Sequence, residues 1–305
     1  MRGHYQTIVP NLFRRVAVHY RRERIDTPDG DFLDLDWRDH PASRRLVVLS
    51  HGLEGDSRRS YVASAANYFH ARGWNVLAWN CRSCSGEMNR TPRLYSHGQS
   101  EDLATVVDHA LATGRFDRLT LIGYSMGGNL TMKYLGALGA SRPPQVTHGV
   151  AFSAPAFIAP SAASLERWDN WVYKRKFFRS LAAKVTAKEA QFPGLVDLSR
   201  LADVRRWADF DRWFSAPLSG YTDLDEYYHY LSAANFVGGT TAPVLLVNAL
   251  NDPIVPPACT PLALARTHPL LTVETPARGG HVGFALGRGA THSGMDERAA
   301  RFFAE

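Results

Sequence analysis

Short apolar runs alternate along this chain with amphipathic stretches. The runs are rich in aliphatic and β-branched residues and predict strands at 46–49, 76–79, 119–122, 150–152, 244–247 and 270–273. Between them, apolar residues recur at helical spacing, as at Val62, Ala65, Ala66 and Phe69. Strands that alternate with helices in this way predict a mostly parallel sheet flanked by helices, which is an α/β fold.

The chain before residue 40 has a different pattern. Residues 24–27 and 32–37 flank Pro28-Asp29-Gly30, which has the composition of a tight turn, so we expect a hairpin. Polar and apolar residues alternate through 32–37, with Asp34 and Asp36 on one side. This alternation predicts an antiparallel edge strand with one face in water.

The rhythm of strands and helices breaks between the sixth and seventh predicted strands. This stretch has no convincing strand and is rich in tryptophan (Trp168, Trp171, Trp207 and Trp213). A structureless loop of such length is improbable in a compact domain. We therefore interpret residues 1–305 as one domain with a helical cap insertion, about 156–240, over one end of the sheet.

The strongest chemical signal is G-x-S-x-G at residues 123–127, between an apolar run and a helical pattern. A serine that exposes its hydroxyl at the tip of a strand must occupy a sharp turn, where bulky neighbours clash and glycine fits. The context predicts that Ser125 is a nucleophile.

A serine hydroxyl needs a base, and the base needs an orienting carboxylate. Asp252 follows the run 244–247, and His281 follows the run 270–273 within a glycine-rich loop. Either residue alone has a simpler interpretation, as a turn former or a structural histidine. Their order after Ser125 predicts a triad of Ser125, Asp252 and His281. Asn251 is a poorer partner because only a carboxylate stabilises an imidazolium by charge.

An oxyanion site is expected from two backbone N–H groups. These belong to Met126, directly after the nucleophile, and to Leu53 in the loop that follows the run 46–49. His51 is an alternative base, but it precedes the nucleophile and lies where the oxyanion loop belongs.

Composition limits the other chemistry. The net charge is +6, with 35 Lys+Arg against 29 Asp+Glu, but no nucleic-acid-binding motif accompanies the basic clusters. We therefore expect no nucleic-acid partner. Three cysteines are too few for a disulfide framework, and Cys81-x-x-Cys84 has no second pair for a zinc site. No cofactor or metal motif is present, so we expect neither.

Several motifs together resemble the YheT-like branch of the α/β-hydrolases, predicted carboxylesterases related to monoacylglycerol and phospholipid hydrolases. They lie at residues 3–7, 29–37, 51–55, 80–90, 93–95, 123–129, 133–136 and 279–284. The resemblance implies an eight-stranded sheet and places the family's triad at Ser125, Asp252 and His281. It also implies a loop after the fourth strand that contains Cys81 and Cys84. In two departures, Ser83 replaces the usual glycine before the second cysteine, and Asn251 the first aspartate of Asp-Asp-Pro.

These features predict a serine hydrolase that cleaves short- to medium-chain or acylglycerol-like carboxylic esters through an acyl-enzyme. Its partner is then a small, lipid-like ester. The alternatives are a thioesterase or acyltransferase with the same triad, or a non-catalytic lipid-binding protein.

The location follows from what the sequence lacks. No run approaches the ~18 apolar residues of a membrane span, and the N-terminus lacks the apolar segment of a signal peptide. We expect a cytoplasmic protein.

The insertion also bears on location. Phe177, Phe178, Leu181 and Val185 form one apolar helical face among basic residues. This face predicts a cap helix that packs on its neighbours or covers an acyl site, or else a weak contact with a membrane surface that makes the protein membrane-peripheral.

Overall fold

The computed structural model describes residues 2–285 and 290–304. The strands are β1 (Arg21–Asp26), β2 (Phe32–Arg38), β3 (Arg45–Ser50), β4 (Asn75–Asn80), β5 (Arg118–Tyr124), β6 (Val146–Phe152), β7 (Val244–Val247) and β8 (Leu271–Glu274). The helices are α1 (Arg2–Phe13), α2 (Ser60–His70), α3 (Ser100–Ala112), α4 (Met126–Leu138), α5 (Ile158–Ser164), α6 (Trp171–Gln191), α7 (Trp207–Phe210), α8 (Ala216–Leu218), α9 (Leu224–Leu231), α10 (Leu262–Ala265) and α11 (Gly294–Phe302).

The eight strands form one sheet in the order β1-β2-β4-β3-β5-β6-β7-β8. Strands β3 to β8 pair in parallel, whereas β2 pairs antiparallel with both β1 and β4. Five of the apolar runs predicted as strands lie within these six parallel strands, and the sixth, 270–273, is offset by one residue from β8. The prediction of an α/β, mostly parallel sheet is therefore confirmed.

Both faces of the sheet are covered, which explains why its central strands are continuously apolar. In β3, Leu46 and Val48 pack with α3 and α4 on one face, and Val47 and Leu49 pack with α2 and α11 on the other. The core is therefore two layers separated by the sheet.

The hairpin prediction is confirmed, but the prediction of an edge strand with one solvent-exposed face is wrong. Strand β2 lies between β1 and β4, and the side chains of Asp34 and Asp36 are only 2% and 1% exposed. In β1, Arg24 faces Asp34 and Arg22 faces Asp36, and each pair lies 2.7 Å apart. The alternation of charged and apolar residues predicted a solvent-exposed face. Here, however, cross-strand arginines neutralise Asp34 and Asp36 and cover them.

Helices α5 to α9 occupy the chain between β6 and β7. The apolar face of α6 turns inward: Phe178 stacks on Trp207 and Phe210, and Val185 is 1% exposed. Two other aromatic residues near the start of α6, Trp168 and Trp171, are exposed. No helix in the described part of the chain combines the length and hydropathy of a membrane span.

The loop after β4 contains Cys81 and Cys84, as the resemblance implies. Ser83, which replaces the family's glycine there, has a positive φ of 59°. Its hydroxyl donates a 2.6 Å hydrogen bond to Asn89 and accepts one from the Asn89 N–H. These two bonds hold a serine in a conformation that favours glycine.

Candidate active site

Ser125 lies in the turn between β5 and α4, with φ 53° and ψ −118°. Its N–H donates to the carbonyl oxygen of Phe152 at 2.8 Å, which fixes the turn against β6. A Cβ atom at Gly123 would overlap the Gly127 backbone, and one at Gly127 would overlap Ser50. The two glycines of the motif are therefore required by close backbone approach on either side of the serine.

The structure brings the three predicted triad residues together. The Ser125 hydroxyl lies 2.9 Å from His281 Nε2, and His281 Nδ1 lies 2.9 Å from Asp252 Oδ2. The other carboxylate oxygen of Asp252 accepts from the N–H groups of Ile254 and Val255, at 2.8 and 2.9 Å. A carboxylate fixed in this way favours the tautomer in which Nδ1–H donates to Asp252 and Nε2 is free to accept from the serine.

The loop that carries His281 is held by the N-terminal helix α1. The His281 N–H donates to the hydroxyl of Thr7 at 2.8 Å. The side-chain oxygen of Asn251 accepts from the N–H groups of Gly279 and Gly280, both at 3.0 Å, and its NH₂ group donates to Gln6. Sequence reasoning missed these contacts, although residues 3–7 were part of the resemblance.

The predicted oxyanion loop lies against the nucleophile. A Cβ at Gly52 would lie only 3.1 Å from the Ser125 Cβ, and the Gly52 N–H donates to Tyr61. Within the described residues, neither the Leu53 N–H nor the Met126 N–H donates to another protein group. Both predicted donors thus have unused hydrogen-bonding capacity beside Ser125.

His51 is held inside this loop. Its Nε2 accepts from the Cys81 N–H at 3.0 Å, and its Nδ1 lies 2.8 Å from the carbonyl oxygen of Gly52. Burial lowers the pKa of His51 to about 4, so the ring is neutral at ordinary pH. It positions the loop and lies outside the contacts of Ser125.

Glu54 ties the oxyanion loop to the insertion. Its side chain is 7% exposed and forms a 2.7 Å ion pair with Lys184 of α6, with further hydrogen bonds from Ser180 and Tyr95. Burial opposes ionisation of Glu54, but the Lys184 ammonium and the two hydroxyl donors outweigh it and lower the pKa. The sequence analysis did not predict Glu54 and Lys184 as site residues. The feature that marks Glu54 is its positive φ of 54° next to Leu53, and only the structure shows it.

The loop after β4 closes this cluster from the other side. Lys184 Nζ also lies 3.3 Å from Cys84 Sγ, and burial raises the pKa of the Cys84 thiol to about 11. All three cysteines are free. No group of three or more His, Cys, Asp or Glu is placed to hold a metal within residues 2–285 and 290–304.

A cavity opens at Ser125 and His281. Its walls are mostly apolar and come from the sheet loops and from the insertion, which contributes Phe177 and Trp207. The candidate nucleophile therefore lies in the wall of a mostly apolar cavity.

These features define the class of α/β-hydrolases. A serine lies in a strained strand-to-helix turn on a mostly parallel sheet, and it is hydrogen-bonded to a histidine that a carboxylate orients. The family model described as serine aminopeptidase, S33, matches residues 41–274, and the chain belongs to this family. The predicted α/β-hydrolase resemblance and the prediction of an enzyme of the serine hydrolase type are confirmed.

Individual relatives agree along nearly the whole chain. YheT of Escherichia coli strain K12, which is named as an esterase, is 34% identical over 298 residues, or 94% of this chain and 86% of YheT. Phospholipase ABHD3 of Homo sapiens is 29% identical and matches 99% of this chain and 76% of its own length. Monoacylglycerol lipase ABHD2 of Homo sapiens is 25% identical over 93% of this chain and 72% of its own.

Solved structures share the fold. The Pyrococcus furiosus esterase Pf2001 superposes with a TM-score of 0.62 at 17% identity, covering 95% of this chain and 97% of its own. Est1E from Butyrivibrio proteoclasticus, with ferulic acid bound, gives a TM-score of 0.60 at 17% identity over 93% and 100% of the two chains. At these identities the likeness shows the fold alone.

Proposed function

We propose that this protein hydrolyses carboxylic esters through an acyl-enzyme on Ser125. The observation that carries the proposal is the continuous hydrogen-bonded chain from Asp252 through His281 to Ser125, beside two unused backbone N–H groups. This arrangement supplies a nucleophile, a base and an oxyanion site at one point.

The reaction proceeds in two halves. Ser125 Oγ attacks the ester carbonyl while His281 Nε2 takes its proton, and the N–H groups of Leu53 and Met126 stabilise the oxyanion. Collapse of the intermediate breaks the bond to the alcohol, which leaves with the proton from His281. Water then gives a proton to His281 and attacks the acyl-enzyme, and collapse releases the acid and returns the proton to Ser125.

We propose a short- to medium-chain acyl group, and the lining of the cavity supports an apolar chain. Its walls are mostly apolar, which suits a hydrocarbon chain beside the ester. Relatives named as an esterase, a phospholipase and a monoacylglycerol lipase support a small, lipid-like ester as the substrate class. Because Phe177 and Trp207 line the cavity, we also propose that the insertion is its cap.

The test is turnover of p-nitrophenyl acetate, butyrate and octanoate, together with labelling by a fluorophosphonate probe. We expect Ser125→Ala to lose labelling and at least about 1,000-fold in kcat. Ser199→Ala, at an exposed serine in the insertion, is the matched control and should behave as wild type. Labelling or full turnover in Ser125→Ala would refute the assignment, and inactivity on every chain length would refute the substrate class.

We further propose that the start of α6 contacts anionic lipid surfaces. Trp168 and Trp171 are 86% and 58% exposed, and Arg175, Lys176 and Arg179 follow on the exposed side of the helix. Exposed tryptophans beside cations are typical of segments that lie at a membrane interface.

Cosedimentation tests this contact, using phosphatidylcholine vesicles with and without phosphatidylglycerol. We expect binding only to the anionic vesicles, reduced about tenfold by Trp168→Ala/Trp171→Ala. Phe13→Ala, at a distant exposed aromatic residue, is the control and should bind as wild type. Unchanged binding of the double variant would contradict the proposal.

A further inference from the structure

A second cavity adjoins the one at the nucleophile. The two cavities share the lining residues Leu53, His97, Ile158 and Trp207. The second cavity therefore meets the first at these side chains and lies beside the place where a substrate of Ser125 would bind. Most of its lining is apolar, and a few of its lining residues are polar.

Asp211 is one of these polar lining residues. It begins a single π-helical turn, Asp211–Ser215, a form that is rare and is frequently found at functional sites. Its residue is 5% exposed, and its carboxylate accepts a 2.9 Å hydrogen bond from the hydroxyl of Tyr228. The hydroxyls of Ser215, Ser219 and Tyr227 belong to residues that line the same cavity.

No cation accompanies this carboxylate. Among the described residues, no Lys, Arg or His side chain lies within ion-pair distance of Asp211, in contrast to the buried pairs at Asp34, Asp36 and Glu54. The one histidine in the cavity wall, His97, is kept neutral because burial lowers its pKa to about 4. A buried carboxylate without a counter-ion is unfavourable, and burial raises the pKa of Asp211 to about 6.

Aromatic side chains line the same cavity. They are Trp207, Phe210 and Tyr227, and Tyr228 is hydrogen-bonded to Asp211. Aromatic rings attract cations, so rings and a carboxylate in one cavity wall suit an ammonium or a quaternary ammonium group. The same surroundings disfavour an anion, because a carboxylate and negative ring faces repel it.

We propose that Asp211 and the surrounding rings form a subsite for a positively charged nitrogen carried by the ester substrate. This inference rests on the proposed ester hydrolysis and narrows its substrate class to esters with a cationic end. Asp211 is then a specificity-determining residue that contacts the substrate away from the reacting carbonyl. Hydrogen bonds from Ser215, Tyr228 and Trp207 partly offset the burial of Asp211, and the bound cation would supply the counter-ion that it lacks among the described residues.

Paired substrates that differ only in charge test the subsite. One pair is a choline ester and the dimethylbutyl ester in which carbon replaces nitrogen, so the cation is on the alcohol. The other is the p-nitrophenyl ester of trimethylammoniobutanoic acid and its carbon isostere, with the cation on the acyl group. At about pH 8, where the Asp211 carboxyl is ionised, we expect about a tenfold or greater preference in kcat/KM for the cationic member of at least one pair.

Asp211→Asn should abolish this preference, so that the ratio of kcat/KM for the two members of a pair falls to about one. Asp209→Asn is the matched control, because Asp209 lies two residues away and its carboxylate bonds to the backbone at Arg205 and Arg206. Equal rates within both pairs in wild type, or an undiminished preference in Asp211→Asn, would overturn the proposal.

A binding measurement separates this proposal from the hydrolysis itself. In Ser125→Ala, calorimetry should show tighter binding of the cationic ester than of its isostere, and the difference should vanish in Ser125→Ala/Asp211→Asn. No turnover of any ester together with charge-selective binding would refute the proposed reaction and support the subsite. Turnover without charge-selective binding would refute the subsite alone.

Discussion

The two sides of the nucleophile are held by different parts of the chain and by different forces. On the base side, the His281 loop donates neutral hydrogen bonds to Thr7 of α1 and to Asn251, which itself donates to Gln6 of α1. On the oxyanion side, α6 holds the Leu53 loop through the buried ion pair of Glu54 and Lys184. The catalytic geometry therefore depends on two remote segments, one neutral in character and one ionic.

The need for such support follows from the backbone. Glu54 and Ser125 have φ values of 54° and 53°, and Ser153 and Val282, near the base, have values of 50° and 53°. Residues with side chains pay of order 1–3 kcal/mol for such conformations and keep them only when the surroundings fix them. For Val282 the fixing contact is a 2.9 Å hydrogen bond from its N–H to Ser153.

Of the two sides of the nucleophile, the larger loss of stability and of kcat is expected from breaking the ion pair of Glu54 and Lys184. Glu54→Gln leaves Lys184 buried without a counter-ion, which costs about 3–5 kcal/mol of stability. The Leu53 N–H should also lose its alignment, so we expect kcat to fall by about tenfold to 100-fold with little change in KM. Steady-state kinetics on p-nitrophenyl butyrate and denaturant unfolding measure the two effects.

The double variant Glu54→Gln/Lys184→Met separates the effect on the position of the oxyanion loop from the effect on stability. The double variant removes the unpaired charge, so stability should partly recover while kcat stays low. Wild-type kcat in the double variant would show that α6 does not position the oxyanion loop. Asp34→Asn is the matched control, because Asp34 is also a buried carboxylate in an ion pair, in this case with Arg24. This variant should lose stability without losing kcat.

The pH dependence of stability sharpens the same comparison. The pKa of Glu54 is lowered in the folded protein, so its contribution is present above its unfolded value of 4.5 and is lost as the pH falls through the folded value. Wild type should therefore lose more stability than Glu54→Gln as the pH falls below about 4.5. A variant at Thr7, on the neutral side, should keep the wild-type dependence of stability on pH.

A smaller effect is expected on that neutral side. Thr7→Val leaves the His281 N–H without its acceptor, which costs about 1–3 kcal/mol. Because His281 keeps its contacts with Asp252 and Ser125, we expect kcat to fall only about threefold to tenfold, with KM unchanged.

Thr7→Ser restores the hydroxyl and should restore kcat, which a loss of packing alone would not predict. Thr240→Val is the control, because Thr240 is a buried threonine whose hydroxyl bonds to Ala242. If Thr7→Ser is as slow as Thr7→Val, the hydroxyl does not position the base.

Local patterns in the sequence were enough to predict the sheet. The apolar runs 46–49 and 119–122 became β3 and β5 because strands buried on both faces must be apolar throughout. The same reasoning failed at Asp34 and Asp36, whose partners Arg24 and Arg22 are specified by strand register and not by local composition.

By itself, the sequence predicted the residues that we propose carry the chemistry and the strand after which each one follows. Ser125, Asp252 and His281 each follow a parallel strand, and carboxyl ends of parallel strands share one edge of a sheet. Only the tertiary structure decided what holds these residues: Thr7 is 274 residues from His281, and Lys184 is 130 from Glu54. Such contacts arise when remote elements dock, and no local periodicity encodes which of many polar side chains will meet.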